Sequence, residues 1–328
     1  MSVGIGVIGV GRIGSMHAEL LARRTPGATV TRIYDAFEEQ AHAVARPLGV
    51  PTTNSVEALL AAPDVDAVAI CTSTDTHADL IVAAAEAGKA IFCEKPVSLE
   101  LAEVDRALAA VDAAGVPFQI GFNRRFDPGH AAVAAADVGE PHLVRITSRD
   151  PAPPPLAYVR VSGGIFLDMT IHDFDMARFV AKSEVVDVFA RGSVRIDEGF
   201  SEAGDVDTAV VMLEHENGCF TTIDNSRQAV YGYDQRVEVF GAKGMAASEN
   251  PLANATIVRT AEGMRAATLP YFFLDRYVPS YLNEWQAFVS AVATGTEPVV
   301  GKHDARAPLV IGLAAWQSLR EGQPCSLR

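Results

Sequence analysis

The chain has 328 residues, 49% of them hydrophobic, so it can bury a large core and exceeds what one domain usually holds. Its formal net charge of −14 offers no basic field to a polyanion, which argues against nucleic acid or an anionic membrane surface as a partner. No charged and apolar leader opens the sequence and no apolar run reaches about 18 residues, so we expect a cytoplasmic protein without a membrane span.

The first predicted elements are a strand, a glycine-rich turn and a helix. Gly4 to Ile8 is an apolar run typical of a parallel strand, and the helix is predicted from about Ile13 to Arg24. Between them, Gly9 permits a tight turn, Gly11 lets backbone approach a pyrophosphate, and Gly14 lets the helix pack closely on the sheet. The helix N-terminus adds amide donors and a positive dipole end for phosphate. The pattern therefore predicts a bound dinucleotide.

The acidic residue that follows the second predicted strand indicates which dinucleotide binds. Asp35 comes directly after the strand Thr29 to Tyr34, where a carboxylate can accept from both ribose hydroxyls of NAD and repel a 2′-phosphate. Arg12 in the glycine loop leaves NADP open as an alternative, but the three residues after Asp35 are not basic. We therefore predict NAD, held by the three glycines, Arg12, Ile13 and Asp35.

Strand-like and helix-like segments then alternate to about residue 120, which predicts a doubly wound parallel sheet. The helical segments are Ala41 to Leu48, Ser55 to Leu60, Ala78 to Ala87 and Leu101 to Ala114, the last capped by Ser98, and the strands are Val65 to Cys71, Ala90 to Cys93 and Phe118 to Gly121. Residues 1–122 are predicted to form this Rossmann domain.

Longer, alternating strands follow, and they predict an open, largely antiparallel sheet in an α/β domain over residues 123–328. These strands are Leu143 to Arg149, Val185 to Val194, Thr208 to Glu214, Cys219 to Ser226 and Arg236 to Phe240. Helices are predicted over Leu167 to Val180, Tyr281 to Ala293 and Ala305 to Leu319, and the last can pack back on the first domain.

Polar residues follow the predicted strand that ends at Cys71. Thr72, Ser73, Thr74 and His77 lie at the carboxyl edge of the parallel sheet, where such folds bind ligands, so we expect them at the nicotinamide ribose or the phosphates. The alternative is that the threonines only cap the next helix, and the two roles can coexist.

Glu94, Lys95 and Pro96 end the next strand and point to the same cleft. An ammonium at Lys95 can hydrogen-bond a substrate hydroxyl and lower its pKa as hydride leaves the carbon. The alternative is an exposed ion pair between Glu94 and Lys95. Pro96 also makes a cis peptide possible.

Asp168 and His172 stand at i and i+4 of a predicted helix, hence on one face. With Lys95 they form a hypothetical proton relay for alcohol oxidation, in which His172 takes the hydroxyl proton and Asp168 orients the imidazole and stabilises its cation. Standing alone, the pair is more often structural.

The same spacing provides two metal ligands without a third, so no metal is predicted. The four cysteines show no C-x-x-C spacing and are interpreted as free thiols of a reducing compartment.

Taken in order, these motifs and the stretch Gly121-Phe122-Asn123-Arg124-Arg125-Phe126-Asp127 resemble the family of glucose–fructose oxidoreductases and inositol dehydrogenases (Gfo/Idh/MocA) over nearly the whole chain. The segments 163–175, 225–227 and 231–235 are most similar to its inositol-oxidising members. The resemblance implies a Rossmann domain joined to an α/β domain whose open sheet packs against other subunits, usually in a homotetramer.

The resemblance also implies site roles and a reaction. Lys95, Asp168 and His172 carry over as the catalytic residues, with Glu94 and Pro96 lining the nicotinamide side. The polyol contacts implied are Asn123, Arg125, Asp150, Asp168, His172 and one of Tyr231 or Tyr233, with Asp127 a further polar candidate. The implied reaction oxidises the axial hydroxyl of myo-inositol to 2-keto-myo-inositol, with hydride passing to C4 of NAD.

Two alternatives remain open at this point. The first is a dehydrogenase of the same fold acting on scyllo-inositol, D-chiro-inositol or an aldose. The second is a catalytically silent dinucleotide-binding regulator, which loss of the lysine or histidine would favour, although both are retained.

Overall fold

The structure, a computed structural model, describes residues 2–328. The chain divides into two compact units, and each unit contains two segments of sequence. Unit 1 comprises Met1–Asn123 and Tyr281–Ala307, and unit 2 comprises Arg124–Ser280 and Pro308–Arg328.

The return of the chain to unit 1 differs from the single boundary expected near residue 122. It has a physical reason within unit 1, because Trp285 and Phe288 are fully buried against Phe92 of the parallel sheet, with ring centroids 4.1 and 5.9 Å from that ring. Residues 281–307 therefore complete the core of the first unit, and residues 123–328 are not one continuous domain.

Unit 1 contains a five-stranded parallel sheet with helices between successive strands, as predicted. Its strands are β1 Val3–Ile8, β2 Ala28–Tyr34, β3 Ala67–Ile70, β4 Ala90–Cys93 and β5 Phe118–Ile120. Its helices are α1 Arg12–Arg24, α2 Glu38–Leu48, α3 Val56–Leu60, α4 Thr74–Glu86 and α5 Leu101–Ala114. The strand order is β2-β1-β3-β4-β5, so the chain reverses direction across the sheet after β2. That switch point places the loops after β1 and β3 side by side, where such sheets bind ligands.

Unit 2 is built on a seven-stranded, largely antiparallel sheet, which confirms the predicted class. Its strands are β6 Pro141–Arg149, β7 Val185–Ser193, β8 Thr208–His215, β9 Phe220–Ser226, β10 Asp234–Gly241, β11 Gly244–Ser248 and β14 Cys325–Ser326, and a separate hairpin contains β12 Ile257–Thr260 and β13 Gly263–Ala266. The short and long helices of this part are α6 Pro128–Ala135, α7 Leu156–Val159, α8 Ile171–Ala181, α9 Gly199–Glu202 and α10 Phe273–Arg276. Helices α11 Val278–Thr294 and α12 Lys302–Glu321 contain the two later unit boundaries.

The order of the large sheet is β11-β10-β6-β9-β8-β7-β14, with β6 and β9 parallel and the other neighbours antiparallel. Alternate residues of its strands, such as Val144, Val211 and Ile223, are buried in one core with Phe174 and Ala177 of α8. The alternate residues on the opposite face are exposed or half-buried, which produces the period-two pattern of the sequence.

Two local predictions need correction. A regular helix over Leu167 to Val180 was expected, but a π-turn over Ile165–Met169 precedes α8, and the Thr170 amide donates to the carbonyl five residues earlier at 2.8 Å. Ser98 does not occupy the cap of α5, because Glu100 is the N-cap and Ser98 Oγ accepts from the Glu100 amide. Among residues 2–328, no helix has the length and apolar character to cross a bilayer.

Candidate active site

The glycine turn of unit 1 is fixed by contacts that only glycine allows. Gly9 has a φ of +87°, and a Cβ there would lie 2.7 Å from the Thr72 side chain. A Cβ on Gly14 would lie 2.1 Å from the Gly9 carbonyl oxygen. These two glycines therefore let α1 start directly against the end of β1.

Gly11 is different, because an added Cβ would meet no other described residue within 4 Å beyond its chain neighbours. Gly11 is the N-cap of α1 and has no side chain of its own to cap the helix. Arg12 is exposed and Ile13 half-buried at the first turn. The open space at Gly11 and the first amides of the helix fit a pyrophosphate at this helix end.

The Asp35 carboxylate is held at the end of β2 by backbone donors. Its Oδ2 accepts from the Val10 amide at 2.8 Å, and its Oδ1 accepts from the Phe37 amide at 2.9 Å. Gln40 donates to the Val10 carbonyl at 2.8 Å and steadies the same turn. Each carboxylate oxygen keeps a further lone pair, so Asp35 can still accept from a ribose diol.

The loop after β3 supplies the second group of predicted cofactor residues. Ser73 is the N-cap of α4 but makes no side-chain capping bond, and Thr74 begins the helix. The Thr72 and Thr76 hydroxyls lie 2.7 Å apart, and Thr76 donates to the Ser73 carbonyl. The Thr76 hydroxyl thus bonds within the first turn of α4, and helix capping by the threonines stays a prediction.

His77 lies behind this loop instead of facing solvent, with an exposed fraction of 1%. Its Nδ1 is 2.8 Å from the Pro96 carbonyl and its Nε2 is 3.1 Å from the Thr72 carbonyl. Burial lowers the pKa of His77, so the ring is neutral and has one N–H to share between them. The ring of His77 therefore contacts the protein's own backbone, and its role as a cofactor contact stays a prediction.

Glu94, Lys95 and Pro96 form the turn that leaves β4, with a cis bond between Lys95 and Pro96. Glu94 and Lys95 are half-buried, and Pro96 is buried. The Glu94 carboxylate accepts from the Lys95 amide at 3.3 Å through Oε2, and its Oε1 lies 2.7 Å from His17 Nε2. A Cβ on Gly121 would be 3.1 Å from Glu94 Oε2, so that glycine leaves room for the carboxylate.

Asp150 and Arg227 lie next to each other because β6 and β9 are parallel neighbours. Arg149 pairs in register with Ser226, and the next residues of the two strands are Asp150 and Arg227. The Asp150 amide donates to the Ser226 carbonyl at 2.9 Å, which continues the pairing past the strand ends. The topology therefore places a carboxylate and a guanidinium side by side.

Arg227 joins two predicted site residues and has no role in the sequence-based prediction. Its guanidinium is buried, with Nη2 at 3.0 Å from Asp168 Oδ2 and Nη1 at 3.4 Å from Asp150 Oδ2. Tyr158 of α7 donates to Asp168 Oδ1 at 2.8 Å. Arg227 belongs to one of the segments that carry the family resemblance, which was the available signal, while Tyr158 had none.

We call this group the Arg227 cluster, and its members are Asp150, Tyr158, Asp168 and Arg227. Within it, burial and ion pairing have opposite effects on the pKa of Asp150. Burial raises the pKa of Asp150, and the adjacent Arg227 charge opposes that rise. Burial and the Asp168 charge also raise the pKa of Tyr158, so its hydroxyl stays protonated and can donate. The cluster thus presents both donors and acceptors, as recognition of an uncharged polyol requires.

The start of α8 is fixed by a second buried group one residue beyond His172. Asp173 accepts from Arg124 Nη1 at 2.6 Å, from Ser148 Oγ at 2.5 Å and from Asn225 Nδ2 at 2.8 Å. Asn225 in turn accepts from Thr170 at 2.7 Å. These bonds hold the backbone on both sides of His172, which is itself half-buried.

The two candidate tyrosines occupy different surroundings. Tyr231 is 50% exposed and donates to Asp234 at 2.6 Å, while accepting from Arg149 at 3.0 Å. Tyr233 is 6% exposed, and burial raises its pKa, opposed by the Arg124 charge and reinforced by Asp150. Of the two rings, Tyr233 therefore shares the electrostatic environment of Asp150.

Three further predicted contacts are placed in structural positions. Arg125 forms a bidentate ion pair with the buried Asp175, at 2.8 and 2.6 Å. Asp127 caps α6 through the Gly129 and His130 amides and pairs with Arg276 at 2.6 Å. Asn123 is buried at the last position of the first segment of unit 1. Polyol contact by these residues stays a prediction.

The catalytic residues predicted together lie in different units, Lys95 in unit 1 and both Asp168 and His172 in unit 2. Across residues 2–328, no group of three histidine, cysteine, aspartate or glutamate side chains is arranged to hold a metal ion. All four cysteines are free thiols, of which Cys325 alone is partly exposed.

Comparison with protein families gives two matches that follow each other along the chain. Residues 3–122 match the oxidoreductase family with an NAD-binding Rossmann fold, GFO/IDH/MocA, and residues 130–247 match the GFO/IDH/MocA C-terminal domain.

Whole-chain comparison finds inositol dehydrogenases. The chain is 49% identical to myo-inositol 2-dehydrogenase of Thermotoga maritima, over 98% of both chains, and 44% identical to inositol 2-dehydrogenase of Rhizobium meliloti, over 100% of both. The crystal structure of scyllo-inositol dehydrogenase from Lactobacillus casei with NAD(H) and scyllo-inositol superposes with a TM-score of 0.92 at 27% identity, over 99% of each chain.

Proposed function

The chain belongs to the GFO/IDH/MocA oxidoreductase family, and from that premise we propose that it oxidises myo-inositol to 2-keto-myo-inositol with NAD. The observation that carries this proposal is the 49% identity to the T. maritima enzyme over 98% of both chains, because it leaves no domain unmatched. The polar Arg227 cluster and the open turn at Gly11 support it.

Bound NAD supplies the hydride acceptor of this reaction. The amides at the start of α1 and the space at Gly11 would hold its pyrophosphate, and Asp35 its ribose diol. The carboxylate at Asp35 favours NAD over NADP, since a 2′-phosphate would meet a negative charge.

The chain's own residues handle the proton. In this proposal His172 takes the proton of the reacting hydroxyl, Asp168 orients the imidazole and stabilises its cation, and the Lys95 ammonium donates to the hydroxyl oxygen. The contacts that Asp168 makes with Tyr158 and Arg227 restrict its carboxylate to one orientation.

Substrate selection is assigned to the residues around Asp150. We assign Tyr233 instead of Tyr231 to this group, because Tyr231 is engaged with Asp234 and Arg149. A site built to pair hydroxyls can reject an analogue lacking one by about 10⁴-fold or more.

The free face of the large sheet supports association into a homotetramer. Met245, Phe240, Leu143 and Phe220 are exposed by 54, 46, 40 and 41%, and the strand register pairs them in one continuous row. Directly paired residues lie on the same face, so the row forms an apolar strip across four strands. Replacing Phe240 and Leu143 by lysine is expected to produce smaller particles in analytical ultracentrifugation, and unchanged mass would contradict this interface.

The four free thiols support a reducing, cytoplasmic location. No basic surface is expected to bring nucleic acid or membrane to the protein.

The test of the reaction is NADH formation by the purified protein with NAD or NADP and a panel of myo-, scyllo- and D-chiro-inositol and glucose. Turnover of myo-inositol with NAD is the expected result. The L. casei comparison makes scyllo-inositol the second candidate. Preference for scyllo-inositol would change the assigned substrate and leave the proposed mechanism unchanged. Binding of NAD without turnover of any polyol would overturn the proposal and favour a silent regulator.

A further inference from the structure

Two buried histidines of unit 1 contact the turn that carries Lys95, one before the lysine and one after it. His17 of α1 contacts the Glu94 side chain, and His77 of α4 contacts the Pro96 carbonyl. Their exposed fractions are 0 and 1%, so neither ring can act directly on a substrate. What they can do is hold the turn.

The proton on His17 is located by its second neighbour. Trp285 Nε1 lies 2.8 Å from His17 Nδ1, and an indole N–H can only donate. His17 Nδ1 therefore accepts, its proton is on Nε2, and Nε2 donates to Glu94 Oε1 at 2.7 Å. The chain of donors runs from Trp285 through His17 to Glu94, whose other oxygen accepts from the Lys95 amide.

The proton on His77 follows from its distances. The ring is neutral and both neighbours are carbonyls, which only accept, so one N–H serves the closer of them. We place it on Nδ1, which lies 2.8 Å from the Pro96 oxygen, against 3.1 Å between Nε2 and the Thr72 oxygen. His77 then connects the Lys95 turn to the loop after β3.

Both histidines lie on helices whose N-termini face the proposed cofactor. Helix α1 begins at Gly11, and α4 begins after Ser73. Each helix therefore presents amides to the dinucleotide at one end and a buried imidazole to the lysine turn within its first two turns.

We propose that His17 and His77 are positioning residues, which lock the Glu94–Lys95–Pro96 turn to the two cofactor-binding helices, so that binding of NAD and placement of Lys95 are coupled. This inference rests on the proposed function for the role of Lys95. The locking itself consists of contacts within unit 1.

The two amide side chains separate positioning from packing. The amide nitrogen of asparagine falls near the place of an imidazole Nδ1, and that of glutamine near Nε2. His77→Asn keeps the donor to Pro96 and His77→Gln loses it, whereas His17→Gln keeps the donor to Glu94 and His17→Asn loses it. If the rings only fill space, one amide will be tolerated better at both positions because of its size.

The expected result is opposite rescue at the two sites. His77→Asn and His17→Gln should keep kcat within about 3-fold of wild type, and His77→Gln and His17→Asn should lower kcat by roughly 100-fold, the cost of misplacing a reacting group by about 1 Å. The Kd for NAD should change by less than about 3-fold in the two rescued variants and should rise by about 5-fold in the other two, because coupling is reciprocal. The same ranking at both positions, or a fall confined to NAD affinity, would overturn the proposal.

A matched control is His215 of unit 2, which is also buried and bonded through both nitrogens, to the Ser183 carbonyl at 3.0 Å and the Thr221 hydroxyl at 2.8 Å. His215→Asn and His215→Gln should lower the thermal midpoint while kcat is unchanged. They calibrate the effect of an amide at a buried histidine that does not contact the lysine turn.

Amide hydrogen exchange, measured with and without NAD, tests the coupling in the absence of substrate. NAD should slow exchange in peptides carrying Glu94 to Val97 of the wild type, and this protection should be lost in His17→Asn and His77→Gln while residues 9–14 remain protected. Protection of 94–97 that persists in both variants would refute the coupling. If the wild type oxidises none of the polyols, the proposed function fails and this measurement still decides the locking.

Discussion

The glycine turn of unit 1 and the Arg227 cluster of unit 2 are both polar sites, but they are assembled in different ways. The turn is made by residues 9–14 and the nearby Asp35, and its donors are mostly backbone amides. The cluster joins side chains from residues 150, 158, 168 and 227, and the parallel pairing of β6 and β9 brings residues 150 and 227 together. A site made of contiguous backbone tolerates change in its surroundings, whereas one made of distant side chains depends on the register of a sheet.

The largest effect is expected from Lys95, which separates chemistry from cofactor binding. Lys95→Met should lower kcat by about 10²–10⁴-fold, because it removes the ammonium that donates to the reacting hydroxyl and lowers its pKa in the proposed relay. The NAD affinity, measured by calorimetric titration, should stay nearly unchanged, since the glycine turn is intact. Lys243→Met, at an exposed lysine paired with Asp137, is the control with full activity. A Lys95→Met enzyme with wild-type rates would refute the relay.

This contrast also explains how much the sequence could predict. The spacing of Gly9, Gly11, Gly14 and Asp35 predicts the turn because each residue acts through local backbone geometry. Arg227 could not be placed, because its contact with Asp150 arises from pairing between strands that are far apart in sequence. Tyr158 could not be placed, because no motif points to its contact with Asp168, ten residues away. The π-turn at Ile165–Met169 was missed for a related reason, since the i and i+4 pattern of an α-helix does not reveal one inserted residue.

A pair of glycine variants can break the turn in two distinguishable ways. Gly14→Ala should destabilise the protein without ligand by about 1–3 kcal/mol, because its Cβ would overlap the Gly9 carbonyl oxygen. Gly11→Ala should unfold in urea like the wild type and lose NAD affinity by about tenfold or more, equivalent to about 1.4 kcal/mol. Equal urea midpoints with equal NAD affinity would show that Gly11 faces no ligand.

The Arg227 cluster should respond to loss of its cation through pH. Arg227→Met removes the charge that opposes the burial-driven rise in the pKa of Asp150, so that pKa should rise further. Asp150 would then ionise only at a higher pH. The acid limb of the pH profile of kcat/KM for the polyol should therefore shift to higher pH. NAD binding should not move with it. An unshifted limb in Arg227→Met would remove Asp150 from substrate recognition.

The smallest effect, a change in cofactor affinity, is expected at Asp35, the residue proposed to bind the ribose diol. Asp35→Ser removes the negative charge at the end of β2 but keeps a hydroxyl for the Val10 or Phe37 amide. NAD affinity should fall by about tenfold and discrimination against NADP should weaken, as measured by titration with each dinucleotide. Unchanged preference for NAD would place cofactor discrimination elsewhere in the loop.

The return of residues 281–307 to unit 1 affects how the molecule is made. The five strands of the parallel sheet are synthesised first. Phe92 and His17 lack their contacts with Trp285 at that stage, because Trp285 is translated close to the end of the chain. The nascent sheet must therefore persist with an uncovered apolar face through most of synthesis. A fragment ending at Asn123 would lack this cover for good, so we expect it to aggregate when expressed alone, and a fused copy of 281–307 to restore its yield.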